Sequence, residues 1–473
     1  MSIYRMLING ELVASESVFE VLNPATGLRF ASAPNATSAH VAAALQSARA
    51  AFKPWSLRPQ SERSSMLLVA AAALEARRAD LEVLLVKEQG KPLASAVAET
   101  SSAIASFRGA AEVVIPVKAV QETATHILQV HHKPLGVVVG ITPWNFPLSL
   151  GCGKIARSIA HGNTVILKPS PFTPLTSLLV GELLKDVFPP GVVNVITGSD
   201  GGETKSVGEQ LVNSPLVNLV SFTGSGPTGK KIMAACATNM TRVMLELGGN
   251  DPAIVLPDAD VEHAVKGIYQ MAMANSGQIC CAIKRVYVHD SIYEEFVKRA
   301  SEMALAAVVG DGMVEGTQYG PLNNKAQLAR VEMLVKDAQE NGAKIVSTPL
   351  SKEGLFYPPT IVTNVAEGVR LVDEEQFGPV MPVMNYTAVA EAVARANNSE
   401  YGLGASVWGR DPVLLNQVAE ELEAGIVWTN QHAVLREGAP FGGIKQSGFR
   451  REGDGAEADL DTYTEVKTIK LSK

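Results

Sequence analysis

The segment "NSGQICCAIKR", Asn275 to Arg285, sets two of the chain's four cysteines side by side. Neighbouring residues rarely meet the spacing that an S–S bond requires, so both are read as free thiols. A thiolate is a strong nucleophile, but a thiol of pKa about 8.5 is only slightly ionised near neutrality. The dipeptide therefore points to one cysteine with covalent chemistry and a neighbour packed beside it. The plain alternative is a pair of small buried hydrophobes, the commonest fate of a free cysteine. Cys152 and Cys236 sit in helical patterns and read as core.

A second stretch, "FTGSGPTGK", holds Gly224, Gly226 and Gly229 between an expected strand and an expected helix. Glycines let backbone approach a pyrophosphate closely, and a helix N-terminus favours negative charge. Pro227 fits the first helical turn, where its missing N–H does no harm. A dinucleotide loop of this kind wants an acid about 20 residues on, to hold the ribose. Glu246, closing "RVMLEL", fits by position, yet it could equally serve as general base beside the reactive cysteine. Periodicity leaves both assignments open.

The elements that must position these groups are legible in outline. A hairpin, "MLINGELV", turns at Asn9-Gly10, and apolar-periodic helices follow Ser38 and run from about Ser61 to Lys87. From Leu135 buried strands alternate with helices: "LGVVVGI", a helix from Pro147 to about Gly162, "TVILK", "GVVNVIT", "LVNLVSF", "GPTGKKIMAACA" and "RVMLEL". A second alternating series, "AIVL", "RVYVHD", "PVMPVMNY", "ASVWG" and "GIVWTN", follows Gly248-Gly249. Such alternation implies parallel sheets covered on both faces. The fold expected is α/β, with a Rossmann-like dinucleotide-binding domain over 1–117 and 134–246. A second α/β catalytic domain covers 247–445, and a small β extension for oligomerisation uses 118–133 and 455–473. The extension's strands need partners, in each other and in a neighbouring subunit.

Bulk numbers narrow the function classes. The 473 residues are 46% hydrophobic and 19% charged, as in ordinary globular proteins. A net charge of −7 gives no field to attract nucleic acid or an anionic membrane. No run reaches the roughly 18 apolar residues of a membrane span. The N-terminus lacks the pattern of a signal peptide, and four unclustered cysteines argue against both a disulfide framework and a zinc site. A reducing cytoplasm and no metal are the expectations.

The motifs together resemble the aldehyde dehydrogenase superfamily over nearly the whole chain. "TPWNFPL" from Thr142, "LKPSPFTP" from Leu167, "FTGSGPTG", "LELGG" from Leu245, "GQICC" from Gly277, "EEQFGPV" from Glu374 and "PFGGIKQSG" from Pro440 occur in the family's order. Cys280 follows Glu246 by 34 positions, as the family pattern requires.

The resemblance implies that Cys280 is the nucleophile, Cys281 lines the substrate pocket and Glu246 is the general base. It nominates the Asn145 amide and the Cys280 N–H as oxyanion donors. Thr142, Pro143, Trp144, Lys168, Ser170, Gly224, Ser225, Leu247, Glu375 and Phe377 would contact NAD. Lys168 would hold the adenosine ribose, Glu375 the nicotinamide ribose, and Phe377 would pack near the nicotinamide. Glu374 is read as a surface charge. Phe146, Leu150, Gly153, Ile279, Cys281, Leu435 and Phe441 would line the substrate entrance, mostly apolar or small. This favours a medium-sized uncharged aliphatic or aromatic aldehyde. Arg157 and Arg436 keep an acidic semialdehyde open, and His432 reads as structural. The reaction implied is irreversible aldehyde oxidation through a thiohemiacetal and a thioester, in a homodimer or homotetramer.

One departure concerns the nucleotide. Many NAD-preferring members carry a glutamate three residues after the lysine of "LKP", where its charge repels a 2′-phosphate. Pro171 stands there instead, which leaves NADP open beside NAD. The rivals are a CoA-acylating enzyme, against which Glu246 speaks, and a noncatalytic binding member, which would be expected to have lost Cys280, Glu246 or Asn145.

Overall fold

The computed structural model describes residues 4–199, 206–349, 354–434, 439–453 and 457–473. Two large sheets organise them. The first has eight strands, in the order Gly448–Phe449, Arg242–Glu246, Leu219–Thr223, Val137–Ile141, Thr164–Lys168, Val193–Val195, Met6–Ile8 and Glu11–Val13. Its five central strands are parallel, and their registers align Ile141 with Lys168 and Thr223 with Glu246. The carboxyl ends of four strands therefore share one edge. In open parallel sheets that edge is where ligands bind.

The second sheet runs Lys344–Val346, Thr360–Thr363, Val380–Tyr386, Ile283–His289, Asp251–Val255, Gly404–Trp408 and Ile426–Thr429. All pairings are parallel except that of the first edge strand. Side chains alternate across a strand, and here the alternation fills two cores. Ala253, Val255, Val286 and Val288 enter the core on one face, while Ile254, Leu256, Tyr287 and Val407 enter the other. A sheet buried on both faces needs the continuous apolar runs seen in "AIVL" and "RVYVHD".

Val117–Glu122, His126–Pro134 and Thr464–Ser472 form a three-stranded antiparallel sheet with His126–Pro134 in the middle. The two extended segments thus pair with each other as the sequence suggests. Val117, Val120, Val466 and Leu471 are exposed on it.

Two expectations need correction. The helix anticipated from about Ser61 to Lys87 is two helices, Gln60–Ala76 and Arg78–Gln89, broken where Arg77 leaves helical geometry at φ −116°. Neither Gly nor Pro marks the break. The strand expected over "GVVNVIT" shortens to Val193–Val195, and Thr360–Thr363 supplies a strand that the pattern did not reveal. The hairpin turn at Asn9-Gly10 has both residues left-handed, at φ 53° and 79°. That is the geometry favouring Asn-Gly.

Candidate active site

The nucleophile segment follows the helix Val261–Met273 and precedes the strand Ile283–His289. Asn275, Ser276 and Gly277 are all left-handed, at φ 50°, 55° and 70°. Two of them are not glycine, so the turn stores strain that its surroundings must offset. Gln278 does much of this, donating from Nε2 to Asn275 O (2.8 Å) and accepting from Asn323 N–H (2.9 Å). A Cβ on Gly277 would lie 2.0 Å from Gly378 O, so only glycine fits. The turn delivers Cys280 half-buried and Cys281 buried.

Hydrogen bonding to Cys281 raises the Cys280 thiol well above its ordinary range, and burial and the charges of Glu375 and Asp251 add to this. At rest the thiol is therefore protonated, and an acceptor must take its proton. Glu246, at the end of its strand, is 5% exposed, and neither carboxylate oxygen has a hydrogen-bond partner. Burial pushes it well above the usual carboxylate range, helped by Cys280 and Glu452 and opposed by Lys154 and Arg451. A buried carboxylate without donors binds its proton more tightly than an exposed one, so once ionised it is a stronger base.

Asn145 lies in the turn between the strand Val137–Ile141 and the helix Pro147–Ala160. Its Nδ2 donates to Gln278 O at 2.9 Å, which ties this turn to the nucleophile segment. One amide N–H is left over. Among the described residues the Cys280 N–H has no acceptor either. The turn is fixed from behind by groups that sequence reasoning missed. Lys91 Nζ and Asn275 Nδ2 both donate to Asn145 O, at 3.0 and 3.2 Å. Lys91 also pairs with Glu99 and lies over the Phe146 ring, 3.9 Å from its centroid. The other Glu99 oxygen accepts from the N–H groups of Leu148 and Ser149, at 3.0 and 3.2 Å. Glu99 thereby caps the helix that begins at Pro147.

Lys154, Ser221 and Glu452 form another unforeseen group. Lys154 Nζ donates to Ser221 Oγ (2.6 Å), and Ser221 Oγ donates to Glu452 (2.7 Å). A lysine within "LSLGCGKIARSIA" was the one available signal. Arg157 pairs with Glu452 and Asp459, so it is engaged within the fold. His432 is structural: its Nε2 lies 2.9 Å from Cys281 O and 3.5 Å from Asp251. Leu435 and Arg436 lie outside the described residues.

Residues expected to hold a nucleotide gather along the shared strand edge. Thr142 and Lys168 stand at or just beyond strand ends, with Thr142 N–H donating to Lys168 O. Ser170 Oγ accepts from Phe172 N–H. Gly224 N–H donates to Glu246 O, and exposed Ser225 is the N-cap of the helix Gly226–Ala237, its side chain making no bond to the helix backbone. Leu247 packs on Gly229, where a Cβ would lie 2.6 Å from it. Thr142 Oγ1 and Thr223 Oγ1 are buried without partners. Orphaned hydroxyls, open helix N–H groups and a glycine cradle at a strand edge fit a bound dinucleotide.

Across from that edge, Glu375 accepts from Gly249 N–H at 3.1 Å and is pushed up to about 7 by desolvation, against the pull of that bond and of Lys284. Phe377, left-handed at φ 49°, meets Trp144 edge-to-face with ring centroids 5.4 Å apart. Trp144 and Phe377 therefore come together, whereas Glu374 is less of a plain surface charge than expected. It is gripped by Arg330 and Arg370. Phe146, Leu150, Ile279 and Phe441 are half-buried, and Gly153 is buried.

A doubly wound sheet whose strand edge faces a thiol and a buried carboxylate is the architecture of a nucleotide-dependent oxidoreductase. The Aldehyde dehydrogenase family model matches residues 12–469. An aldehyde dehydrogenase of Enchytraeus buchholzi is 38% identical over 98% of this chain and 95% of its own. The succinate-semialdehyde dehydrogenase [NADP(+)] GabD of Escherichia coli is 37% identical over 98% of this chain and 96% of its own. The structure of an aldehyde dehydrogenase from Bacillus cereus, an NAD+ complex, superposes with a TM-score of 0.95 at 37% identity. It covers 100% of this chain and 97% of that one. The chain belongs to the aldehyde dehydrogenase family, a class of NAD(P)-dependent oxidoreductases.

Proposed function

We propose that this enzyme oxidises an aldehyde to its carboxylic acid through covalent attachment to Cys280. The observation that carries this reading is Glu246, buried, without donors, and electrostatically linked to the Cys280 thiol. In this scheme ionised Glu246 accepts the thiol proton and releases it to solvent before the hydrolytic step, and Cys280 Sγ adds to the aldehyde carbon. The oxyanion so formed takes a hydrogen bond from the free N–H of Asn145 and another from the Cys280 N–H. Losing one such donor costs about 10²–10³ in kcat. A nicotinamide held beside Trp144, Glu375 and Phe377 would supply the hydride acceptor as the adduct becomes a thioester. Glu246 then draws a proton from water, whose oxygen attacks the thioester carbon and expels the thiolate.

We assign the nucleotide to the edge of the first sheet, in the domain formed by 1–117 and 134–246, and the acyl chemistry to 247–445. NAD is the principal acceptor in this reading. Pro171 places no negative charge against a 2′-phosphate, so NADP is accepted as well. The substrate is a medium-sized uncharged aldehyde. Its support is that Lys91, Lys154, Arg157 and Lys284 all bond groups within the protein, leaving none of these four for a substrate carboxylate. Among the described residues no helix is long and apolar enough to cross a membrane. Residence in the cytoplasm and association of copies through the three-stranded sheet complete the proposal.

The test is a panel of aldehydes offered with NAD and with NADP, following reduced nicotinamide by absorbance. Hexanal or benzaldehyde should turn over with the higher kcat/KM, and NAD should exceed NADP. Preference for succinic semialdehyde would overturn the substrate assignment. Turnover that depends on added CoA would overturn hydrolysis.

A further inference from the structure

Lys284 is the second residue of the strand Ile283–His289 and is fully buried. A lysine in a central strand is costly to bury unless its ammonium finds close acceptors. It finds two. Nζ donates to Gly277 O at 2.6 Å and to Gly378 O at 2.9 Å. Gly277 ends the left-handed run that presents Cys280, three residues on. Gly378 follows Phe377 and lies three residues beyond Glu375. The two turns touch backbone to backbone here, since the space a Gly277 Cβ would need is filled by Gly378. Two carbonyl oxygens facing one point repel each other, and the lysine offsets that repulsion; Gly277 O takes its hydrogen bond from the lysine, while Gly378 O also accepts from Val380 N–H at 2.8 Å.

We propose that Lys284 is a positioning residue that sets the separation between the nucleophile turn and the Glu375–Phe377 turn. The inference rests on the covalent reading of Cys280 and on placing the nicotinamide ribose at Glu375. On the opposite flank the second turn is already anchored, because Gln327 Nε2 donates to Gln376 O and Phe377 O at 2.9 and 3.0 Å. Lys284 is the side-chain link between that anchored turn and the thiol. Its contribution belongs to hydride removal, the step that needs both turns in register. It matters much less to acylation of the thiol by an ester, which needs only the first turn.

Aldehyde oxidation is therefore compared with nucleotide-free hydrolysis of p-nitrophenyl acetate. In the ester reaction the Cys280 Sγ–acyl bond forms, the acyl C–O bond of the ester breaks with loss of p-nitrophenolate, and water then cleaves the thioester. Lys284→Met keeps the length and removes the donor; Lys284→Gln restores a donor on a shorter stem. K284M should lose about 30-fold in kcat for oxidation, the scale of a sub-ångström misplacement. Ester hydrolysis should stay within about threefold, and K284Q should recover part of the ratio between the two rates. Equal loss of both activities, or an unchanged ratio in K284M, overturns the proposal. Should K284M fail to fold, an unchanged ratio in K284Q overturns it. A wild-type enzyme that hydrolyses the ester but oxidises no aldehyde would instead overturn the reading beneath.

Discussion

At the residue scale, the proposed chemistry concentrates on a thiol and a carboxylate that both bind their protons more tightly than exposed groups would, with the Cys280 charge adding to the shift at Glu246. Cys280→Ala should abolish both aldehyde oxidation and ester hydrolysis. Cys281→Ala should leave most activity and change KM, read by steady-state kinetics. Glu246→Gln should retain acylation and stall hydrolysis, so that intact-mass spectrometry finds an acyl group on the Cys280 peptide. The same variant carries a stability prediction. Glu246 binds its proton more tightly when folded than when unfolded, so its contribution to stability falls as pH rises from about 4.5 towards the raised folded value. By calorimetry, Tm of E246Q should exceed that of the wild type increasingly over that interval and match it below. Cys280, Glu246 and Asn145 could be nominated from the sequence because their motif surroundings are so restrictive, and the structure brings their turns together. Lys284, Lys91 and Glu99 could not, since their partners are backbone groups or charges brought near only by folding. Asn145 O, for instance, is 54 residues from its Lys91 donor.

At the scale of elements, the Asn145 turn depends on a buried ion pair reaching across from the helix Leu93–Ala111. Removing one member of such a pair leaves a buried charge and typically costs about 3–5 kcal/mol, whereas replacing both with apolar residues is often near neutral. Lys91→Met should lower Tm sharply and slow turnover, because Asn145 O loses a donor. Lys91→Met with Glu99→Leu should regain much of the Tm but little of the rate, since the helix cap at Leu148 and Ser149 is also gone. Thermal melts and kcat on the same samples separate the two effects. Most strands and helices were legible in outline because their apolar periods are long and uninterrupted. The break at Arg77 was not, as no residue there forbids a helix and only packing bends the chain. The short strand Thr360–Thr363 was equally hidden, because four residues cannot display a period.

For the whole molecule, the sequence indicated two alternating α/β series, but not the order in which strands lie side by side. Parallel crossovers leave no local mark of which neighbour a strand chooses. The three-stranded sheet was foreseen because its segments fit neither series, and it carries the quaternary prediction. Deleting residues 464–473 should remove the strand opposite His126–Pro134 and leave a monomer, measured by light scattering after gel filtration. An unchanged oligomer would place the subunit contact elsewhere. Gly248 and Gly249 join the two sheets, and each seats a different part of the site. A Cβ on Gly248 would lie 2.3 Å from the Glu375 carboxylate, and one on Gly249 would lie 2.5 Å from Cys280 O. Anyone redesigning this enzyme for new aldehydes inherits that constraint. At Gly249 main chain fills the space a methyl group would need and at Gly248 the buried Glu375 carboxylate does, so variation belongs at the proposed entrance residues Phe146, Leu150 and Phe441.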